Sequence, residues 1–446
     1  MRQGSVLAVM SSFRPSLVLA LVVGGAVAIG LEANAASPNK TADRSAGQVA
    51  AEPSGPLVIQ AREIYVGDGS VIEGGVVLVR DGKIELVAGK IEVPSGARVI
   101  AVEKGTITPG FIDPNAVAGI VSSYSYAEHS SEVIPQMRVL DAINLLSDDF
   151  MELALSGVTT VFVAPDTASV IATRGAILKT GEVARVIVPE QAVLATMGSD
   201  PTFRGTYNSP PSRFGTVTFL NRRPTTRMGT VWVFRKAFYD AREFAATGKA
   251  PDRENDPAAL AVLANVLEGS VPLRIQARMA LDIETAFRLA DEFGLRFTLV
   301  EPIEAFKVLD MIQERRTSVV FGPLFLVPRG PRAAAGEADE FCLSTPATLV
   351  ARGLEVALSA QEQSGEAGLR TQAIFAIRYG MPEQEALKAV TSTPAKILGL
   401  DRRLGTVAAG KDADLVVWSG KPFDVTSKVA YAVIDGRVVE SERKQP

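Results

Sequence analysis

The sequence predicts an α/β fold in which a (β/α)8 TIM-like barrel is inserted into a small β-sandwich formed by both chain ends. Two observations predict this architecture. Between residues 109 and 399, short β-branched apolar runs alternate with helical stretches, which is typical of parallel strands joined by helices. On either side, at 57–108 and 400–440, strand-like runs occur without helices. The economical interpretation is one β-sandwich that the barrel segment interrupts.

The two flanking segments carry the usual signals of hairpins. The first begins with the strand-like Leu57–Ile59 and later contains Asp81-Gly82 between two apolar runs, a dipeptide that favours a tight turn. The second contains the strand-like runs Asp414–Trp418 and Val429–Ile434, and Asp435-Gly436 follows as a second turn signal. Both segments are therefore predicted to be antiparallel in part.

The central segment alternates in the order that a barrel requires. The helical Asp148–Leu155 precedes the strand-like Val158–Val163. The same alternation continues through predicted strands at Leu273–Ile275, Phe297–Val300, Ser318–Phe321 and Glu355–Leu358, with predicted helices at Ile283–Phe293 and Ile303–Arg315. The number of such units in one long segment favours a barrel over an open sheet.

Residues 1–35 have the pattern of a secretory signal peptide. Two arginines precede the apolar run Leu17–Leu31, and an A-x-A pattern ending at Ala35 marks a cleavage site. The run is shorter than the roughly 20 residues of a membrane span, and an uncleaved anchor is the alternative. Residues 36–56 are predicted to be a flexible linker. We therefore expect an exported protein, periplasmic or secreted, without membrane contact beyond the signal segment.

Composition narrows the function classes. Of 446 residues, 47% are hydrophobic and 22% charged, and the net charge of −4 gives no reason to expect a nucleic-acid partner. The single cysteine, Cys342, excludes an internal disulfide and a multi-cysteine zinc site, and we expect it to be buried and inert. The single histidine, His129, lies in a polar stretch and cannot build a histidine-rich metal centre alone.

Six short motifs are spread in order along residues 57–440. They are Thr108–Asp113 (TPGFID), Gly157–Val161 (GVTTV), Thr226–Gly229 (TRMG), Glu304–Lys307 (EAFK), Thr393–Leu400 (TPAKILGL) and Gly405–Leu415 (GTVAAGKDADL). Together they resemble the metal-dependent amidohydrolases, specifically the imidazolonepropionase-like branch. The resemblance implies a barrel with zinc or another divalent metal at its mouth and hydrolysis of non-peptide C–N bonds.

The resemblance also implies where the metal ligands should lie, and there the sequence departs from the family. The first barrel strand of the family ends D-x-H-x-H; here Asp113 is kept, and Asn115 and Val117 stand at the histidine positions. The fifth strand of the subgroup often reads R-I-H-A-H-R; here Gln276 and Arg278 replace the histidines. The histidine ligands are absent at all four positions.

The later strands show the same departure. Glu301 stands where the next strand of the family carries a histidine, and Gln361 aligns with the aspartate of the eighth strand, although a shift of one residue would offer Glu362. No cofactor is therefore expected. An oxygen-only metal site built from Asp113, Glu301 and Glu362 is an alternative, which the charge of Arg278 would oppose.

The replacing residues are polar and are predicted to gather at the barrel mouth. This candidate ligand pocket consists of Asp113, Asn115, Gln276, Arg278, Glu301 and Gln361. An Arg278–Glu301 ion pair would fill the space that the metal left. The set is either a satisfied polar network or a pocket that binds a small polar ligand without chemistry. Lys179, which some relatives would carbamylate as a metal bridge, is expected to be ion-paired or at the surface.

Three functional hypotheses remain. The first is a catalytically inactive binding or structural protein. The second is a subunit that forms homo-oligomers or pairs with an active amidohydrolase relative. The third is an active hydrolase of amide or cyclic amide bonds with an atypical site, in which Glu301 or Glu362 would be the general base and Arg278 the oxyanion stabiliser.

Overall fold

The computed structural model describes most of the chain from Gly55 onward, and these residues belong to one compact unit. The predicted signal peptide, the linker up to residue 54, His129 and Glu362 lie outside the described part, so the predictions made for them stay predictions. The described residues are 55–121, 128, 130–202, 223–252, 256–324, 337, 340–361 and 368–439.

Strands from both ends of the chain share one eight-stranded sheet. They are β1 (Leu57–Tyr65), β2 (Val71–Glu73), β3 (Val76–Arg80), β4 (Lys83–Ala88), β5 (Arg98–Pro109), β16 (Leu415–Trp418), β17 (Val429–Ile434) and β18 (Arg437–Val439). Their order is β18-β17-β16-β5-β1-β3-β4, with β2 beside β1. Antiparallel pairing of β5 with β16 joins the two ends, and one hydrophobic cluster includes Ile59, Val77, Leu415 and Val433. This confirms the β-rich part of the predicted fold class.

Both predicted hairpin turns are present. Asp81 and Gly82 connect β3 to β4, and Asp435 and Gly436 connect β17 to β18. All four residues have positive φ, between 50° and 76°. Two consecutive positive φ values match the twist of two-residue hairpins, which is why Asp-Gly was an informative signal.

The chain passes from the sheet into the barrel through a single residue, Gly110. Its backbone N–H donates to the carbonyl of Asp414 at 2.8 Å, so this crossing is tied to the returning end of the chain. A Cβ atom on Gly110 would lie 2.1 Å from Oγ1 of Thr159. Only glycine fits there, which gives a structural reason for the Pro-Gly pair in the TPGFID motif.

The barrel wall is built mainly from parallel strands. They are β6 (Phe111–Ala116), β7 (Val158–Val163), β11 (Val193–Thr196), β12 (Leu273–Gln276), β13 (Phe297–Val300), β14 (Val319–Phe321) and β15 (Val356–Leu358). Every residue of β7 and β12 is buried. Near-continuous apolar or buried runs are typical of parallel strands covered on both faces, so the TIM-barrel-like part of the fold class is also confirmed.

The wall departs from an ideal (β/α)8 barrel in one region. After β7 the chain forms β8 (Ile171–Arg174), β9 (Ala176–Lys179) and β10 (Arg185–Val188). Here β9 pairs antiparallel with β7, and β8 pairs antiparallel with β11. Among the described residues the ladders form a four-stranded and a six-stranded sheet rather than one closed ring. No pattern in the sequence predicted this antiparallel insertion.

Helices cover the barrel strands. They are α1 (Asp148–Leu155), α2 (Arg227–Thr247), α3 (Pro257–Glu268), α4 (Ala280–Phe293), α5 (Leu309–Glu314), α6 (Thr345–Ala351), α7 (Leu369–Arg378), α8 (Glu383–Val390) and α9 (Ser392–Ile397), with 3-10 turns at Val139–Ala142, Asp200–Thr202 and Ala305–Lys307. None of the helices in this part of the chain combines the length and apolar character that crossing a bilayer requires.

Local signals explain several helix starts, and one predicted helix is wrong in its extent. The Thr226 hydroxyl accepts from the Gly229 N–H at 3.1 Å and so begins α2. The predicted helix Ile303–Arg315 is instead a 3-10 turn followed by the short α5. The interruption is at Val308, which has φ −132° and ψ 30°.

Candidate functional site

Residues from four strands meet at one end of the barrel. Asp113 and Asn115 lie on β6, and Gln276 ends β12. Arg278, Glu301 and Gln361 follow β12, β13 and β15, respectively. Side chains at the carboxyl ends of parallel strands share one face of a barrel, which is where such folds carry their sites.

Arg278 is the centre of a buried group of charges, which we call the mouth cluster: Arg278, Asp200, Glu301 and Glu337. The arginine is 1% exposed. Its Nε donates to Oε2 of Glu301 at 2.9 Å, and Nη2 lies 2.8 Å from the same oxygen. Its Nη1 donates to Oδ2 of Asp200 at 2.9 Å and to Oε2 of Glu337 at 3.4 Å. The Arg278–Glu301 pair expected from the sequence is present, and two further carboxylates complete it.

The second oxygen of Glu301 is also occupied. Oε1 accepts from Nδ2 of Asn115 at 3.4 Å and from Nε2 of Gln361. Glu301 and Gln361 have φ values of 54° and 57°, which non-glycine residues rarely adopt. This backbone conformation is present at both residues of one hydrogen-bonded pair, which is typical of sites where surrounding contacts fix the geometry.

Asp113 lies beside this network and is held by backbone groups. Oδ1 accepts from the N–H of Asn115 at 3.0 Å, and Oδ2 accepts from the N–H of Ala360 at 2.9 Å. Burial raises the pKa of the Asp113 carboxyl, although these hydrogen bonds oppose the shift. Asp113 therefore connects β6 to the end of β15, which stabilises the mouth.

Sequence reasoning assigned no role to four charged residues that lie in the mouth cluster or contact it: Asp200, Glu337, Arg227 and Asp282. Glu337 accepts from the N–H of Ser199 at 2.8 Å and from Arg227 Nη2 at 2.7 Å. Arg227 also donates to Asp282 at 3.0 Å, and burial raises the pKa of the Asp282 carboxyl. The TRMG motif contains Arg227 and was a usable signal. Nothing in the sequence around Asp200 or Glu337 distinguished them.

A second arginine lies on β12 below the mouth cluster. Arg274 is 2% exposed, and its guanidinium carbon lies 4.3 Å from the centre of the Phe162 ring. None of its three side-chain nitrogens has a hydrogen-bond partner among the residues described. Burial lowers the pKa of Arg274 to about 9, against the attraction of Asp113 and Glu301.

Lys179 lies in a different place, where β9 meets the sheet. It is fully buried and donates to Asp412 at 2.9 Å, to Asp414 at 3.0 Å and to Asp435. We call these four residues the junction cluster. Burial alone would lower the pKa of Lys179, but the attraction of Asp414 and the other aspartates raises it. Lys179 is therefore ion-paired and not at the surface, one of the two situations expected for it.

The expectation that Cys342 is buried is wrong. It is partly exposed, and its Sγ lies 3.1 Å from the Ser344 hydroxyl. That hydrogen bond lowers the pKa of the Cys342 thiol. Cys342 lies just before α6, and its neighbour Phe341 is 55% exposed, so the core does not enclose the thiol.

Several known proteins resemble this chain in sequence or in fold. A model of the amidohydrolase family matches residues 350–440. The solved structure of an amidohydrolase from Thermotoga maritima is 30% identical with a TM-score of 0.73, and the match covers 86% of this chain and 99% of that one. The chain therefore belongs to the amidohydrolase superfamily.

Two curated relatives extend the comparison. The amidohydrolase tasK of Hapsidospora irregularis is 27% identical over 401 residues, which are 81% of this chain but 39% of that protein. This chain thus spans well under half of that relative. An imidazolonepropionase of Methylobacterium nodulans is 25% identical over 409 residues, covering 82% of this chain and 93% of the relative.

The residues at the mouth do not fit the divalent metal that the resemblance implied. At the four positions where the resemblance implies histidines, on or just after β6 and β12, stand two amides, a valine and the arginine Arg278. The carboxylates of Glu301 and Asp200 are already bonded to that guanidinium, whose fixed positive charge would repel a second cation. Within the described ranges, no three His, Cys, Asp or Glu side chains are placed to hold a metal ion.

Proposed function

We propose that this protein is an exported amidohydrolase-superfamily member that binds a small polar ligand at its barrel mouth and does not hydrolyse C–N bonds. The observation that carries the proposal is the position of Arg278. Its guanidinium contacts Glu301, Asp200 and Glu337, the carboxylates that a metal would need. Hydrolysis in this superfamily would require an activated water, and no residue of the mouth cluster is free to activate one.

The geometry argues against the alternative of an active hydrolase with an atypical site. A general base needs an acceptor oxygen within reach of the attacking water. Both oxygens of Glu301 are bonded, Oε2 to Arg278 and Oε1 to Asn115 and Gln361. Arg278 in turn directs its donors at three carboxylates, which leaves it unsuited to stabilise an oxyanion.

Elemental mass spectrometry combined with amide and cyclic amide hydrolysis assays tests the proposal. The purified protein is incubated with zinc, manganese and iron, desalted and analysed, with a chelated sample as control. We expect near-zero metal per chain and no turnover in any sample. One metal per chain, together with turnover that disappears on chelation, would show that the protein is a metal-dependent hydrolase.

A variant separates metal-free hydrolysis from no hydrolysis. If turnover is detected without metal, Glu301→Gln should abolish it in an active hydrolase, because the amide cannot accept a proton at neutral pH. Arg288→Met, at an exposed position on α4, is the control for nonspecific effects. Turnover that depends on Glu301 but not on Arg288 would contradict the proposal.

Export is a separate part of the proposal, supported by the signal-peptide pattern of residues 1–35. Expression with and without these residues, followed by fractionation and mass determination of the mature chain, tests it. We expect the full chain to leave the cytoplasm and to begin at Ala36. A protein that stays cytoplasmic with residues 1–35 intact would contradict this part alone.

A further inference from the structure

Among the described residues of the barrel, Arg274 carries a buried charge that no hydrogen bond compensates. It is 2% exposed, and Nε, Nη1 and Nη2 all lack a hydrogen-bond partner among the described residues. Burying an unpaired charge costs several kcal/mol, and a buried polar group without a partner calls for an unseen water or ion. The Phe162 ring covers one face of the guanidinium at 4.3 Å, but stacking leaves the N–H edge unsatisfied.

The neighbouring acids do not fill that edge. Asp113 and Glu301 are close enough to attract Arg274 electrostatically. However, both oxygens of Asp113 accept backbone N–H groups, and both oxygens of Glu301 are bonded within the mouth. Arg274 is therefore attracted by the charges of Asp113 and Glu301 but makes no hydrogen bond to either carboxylate.

Further polar atoms without partners lie next to Arg274 on the same face of the wall. Gln276 is two residues further along β12, and alternate strand residues point to the same side. Thr196 of β11 is the cross-strand partner of Gln276. Gln276 Oε1 and Thr196 Oγ1 are buried and have no hydrogen-bond partner in the described part of the chain. These two atoms add an acceptor and a hydroxyl to the same face of the wall as Arg274.

We infer that Arg274 anchors a carboxylate site inside the barrel, and that the ligand of this protein presents a carboxylate group there. A guanidinium edge offers two parallel N–H donors, which match the two oxygens of a planar carboxylate. The nearby Asp113 and Glu301 charges favour a singly charged group over a doubly charged phosphate. The inference deepens the proposed function and rests on it, because it names the ligand class of the same barrel.

Acetate and acetamide are the matched probes, since they have nearly the same shape and differ in charge. Each is titrated into the purified full chain at constant ionic strength and chloride concentration, by calorimetry and by thermal unfolding. We expect acetate to bind saturably and to raise the unfolding midpoint, and acetamide to do neither. Equal responses to both probes, or no response to acetate at about 10 mM, would overturn the inference; that concentration saturates a site with a Kd of about 1 mM.

Two variants assign the response to Arg274. Arg274→Met should abolish acetate binding and leave the ligand-free midpoint unchanged or higher, because it removes an unpaired buried charge. Arg274→Lys should weaken binding about tenfold, since an ammonium cannot donate two parallel hydrogen bonds. Arg288→Met should respond like the wild-type protein. Retained acetate binding in Arg274→Met would overturn the inference, and so would a much lower ligand-free midpoint, which would mean that Arg274 is already satisfied. Failure of this variant to fold counts as the second of these outcomes.

These outcomes are distinct from failure of the proposed function. Metal-dependent turnover with acetate binding that depends on Arg274 would refute the non-hydrolytic proposal and keep the carboxylate site. If metal and turnover are absent and acetate binding does not depend on Arg274, the non-hydrolytic proposal stands and the carboxylate site is refuted.

Discussion

The mouth cluster and the junction cluster are both built around one buried cation, but they relate differently to the family pattern. Lys179 bonds Asp412 and Asp414 of the motif Gly405–Leu415, which the chain shares with the amidohydrolases. Arg278 stands where the resemblance expects a metal-binding histidine. By this resemblance, the chain keeps the aspartates that hold the sheet to the barrel and carries an arginine where the family would hold the metal.

The largest expected effect is at the mouth. Arg278→Met should destabilise the protein by about 4 kcal/mol, because breaking a buried pair leaves carboxylates without their counter-charge. Glu301 and Asp200 would each lose their bond to the guanidinium. Chemical denaturation measures the free energy of unfolding, and Arg288→Met, an exposed arginine, is the control. A loss below about 1 kcal/mol would mean that the mouth cluster contributes little to stability.

Lys179→Met at the junction should cost somewhat less, about 3 kcal/mol by the same argument. Two of its aspartates keep other cations, since Asp412 also bonds Arg403 at 2.8 Å and Asp435 also pairs with Arg185. Only Asp414 would lose its one basic partner among the described residues. The same denaturation series tests the order, and a larger loss at Lys179 than at Arg278 would reverse the comparison.

The junction should also give a pH dependence through Asp414. Burial raises the pKa of Asp414 from 3.8 to about 6, although Lys179 opposes the shift. Between these values the folded state holds a proton that the unfolded state has released, so stability falls as pH rises from about 4 to about 6, by up to about 3 kcal/mol. Asp414→Asn stays neutral and should not show this fall. Identical slopes in both proteins would contradict the assignment to Asp414.

The smallest effect concerns Gln361, which joins the mouth through Glu301 Oε1. Gln361→Ala should cost about 1 kcal/mol, the value of one hydrogen bond. Gln361→Gly loses the same bond but relieves the positive φ of 57°, which offsets roughly the same amount. We therefore expect the glycine variant to be more stable than the alanine variant. The opposite order would mean that the backbone at residue 361 relaxes on substitution.

The fold was largely predictable because local hydrophobic pattern determines it. The bounds of β7, β13, β17 and α1 follow the apolar runs in the sequence. The antiparallel β8 and β9 were not predictable, since their short apolar runs look the same whichever neighbour they pair with. The predicted helix at Ile303–Arg315 was too long because its sequence is helical in character while the backbone at Val308 is not.

Only those residues of the candidate site that lie within family motifs were predictable. Those motifs identified Arg278 and Glu301, and strand spacing implied that they meet. Asp200 and Glu337 approach Arg278 from positions 78 and 59 residues away in the sequence, outside any motif. Arg274 is the first arginine of the stretch that resembles the R-I-H-A-H-R motif. Its lack of hydrogen-bond partners depends on three-dimensional packing, which residue spacing does not reveal.

The pairing of β5 with β16 has a consequence for the order in which the protein can fold. The indole N–H of Trp418 bonds the Thr108 hydroxyl across 310 positions, and Lys179 reaches Asp435 across 256. During synthesis, the barrel strands and Lys179 emerge long before the strand and the aspartates that complete them. Until residues 412–435 arrive, the β5 edge stays unpaired and the lysine has no counter-charge, so such an intermediate is prone to aggregate. Completion of the sheet and neutralisation of Lys179 therefore both wait for the same C-terminal residues and come late in synthesis.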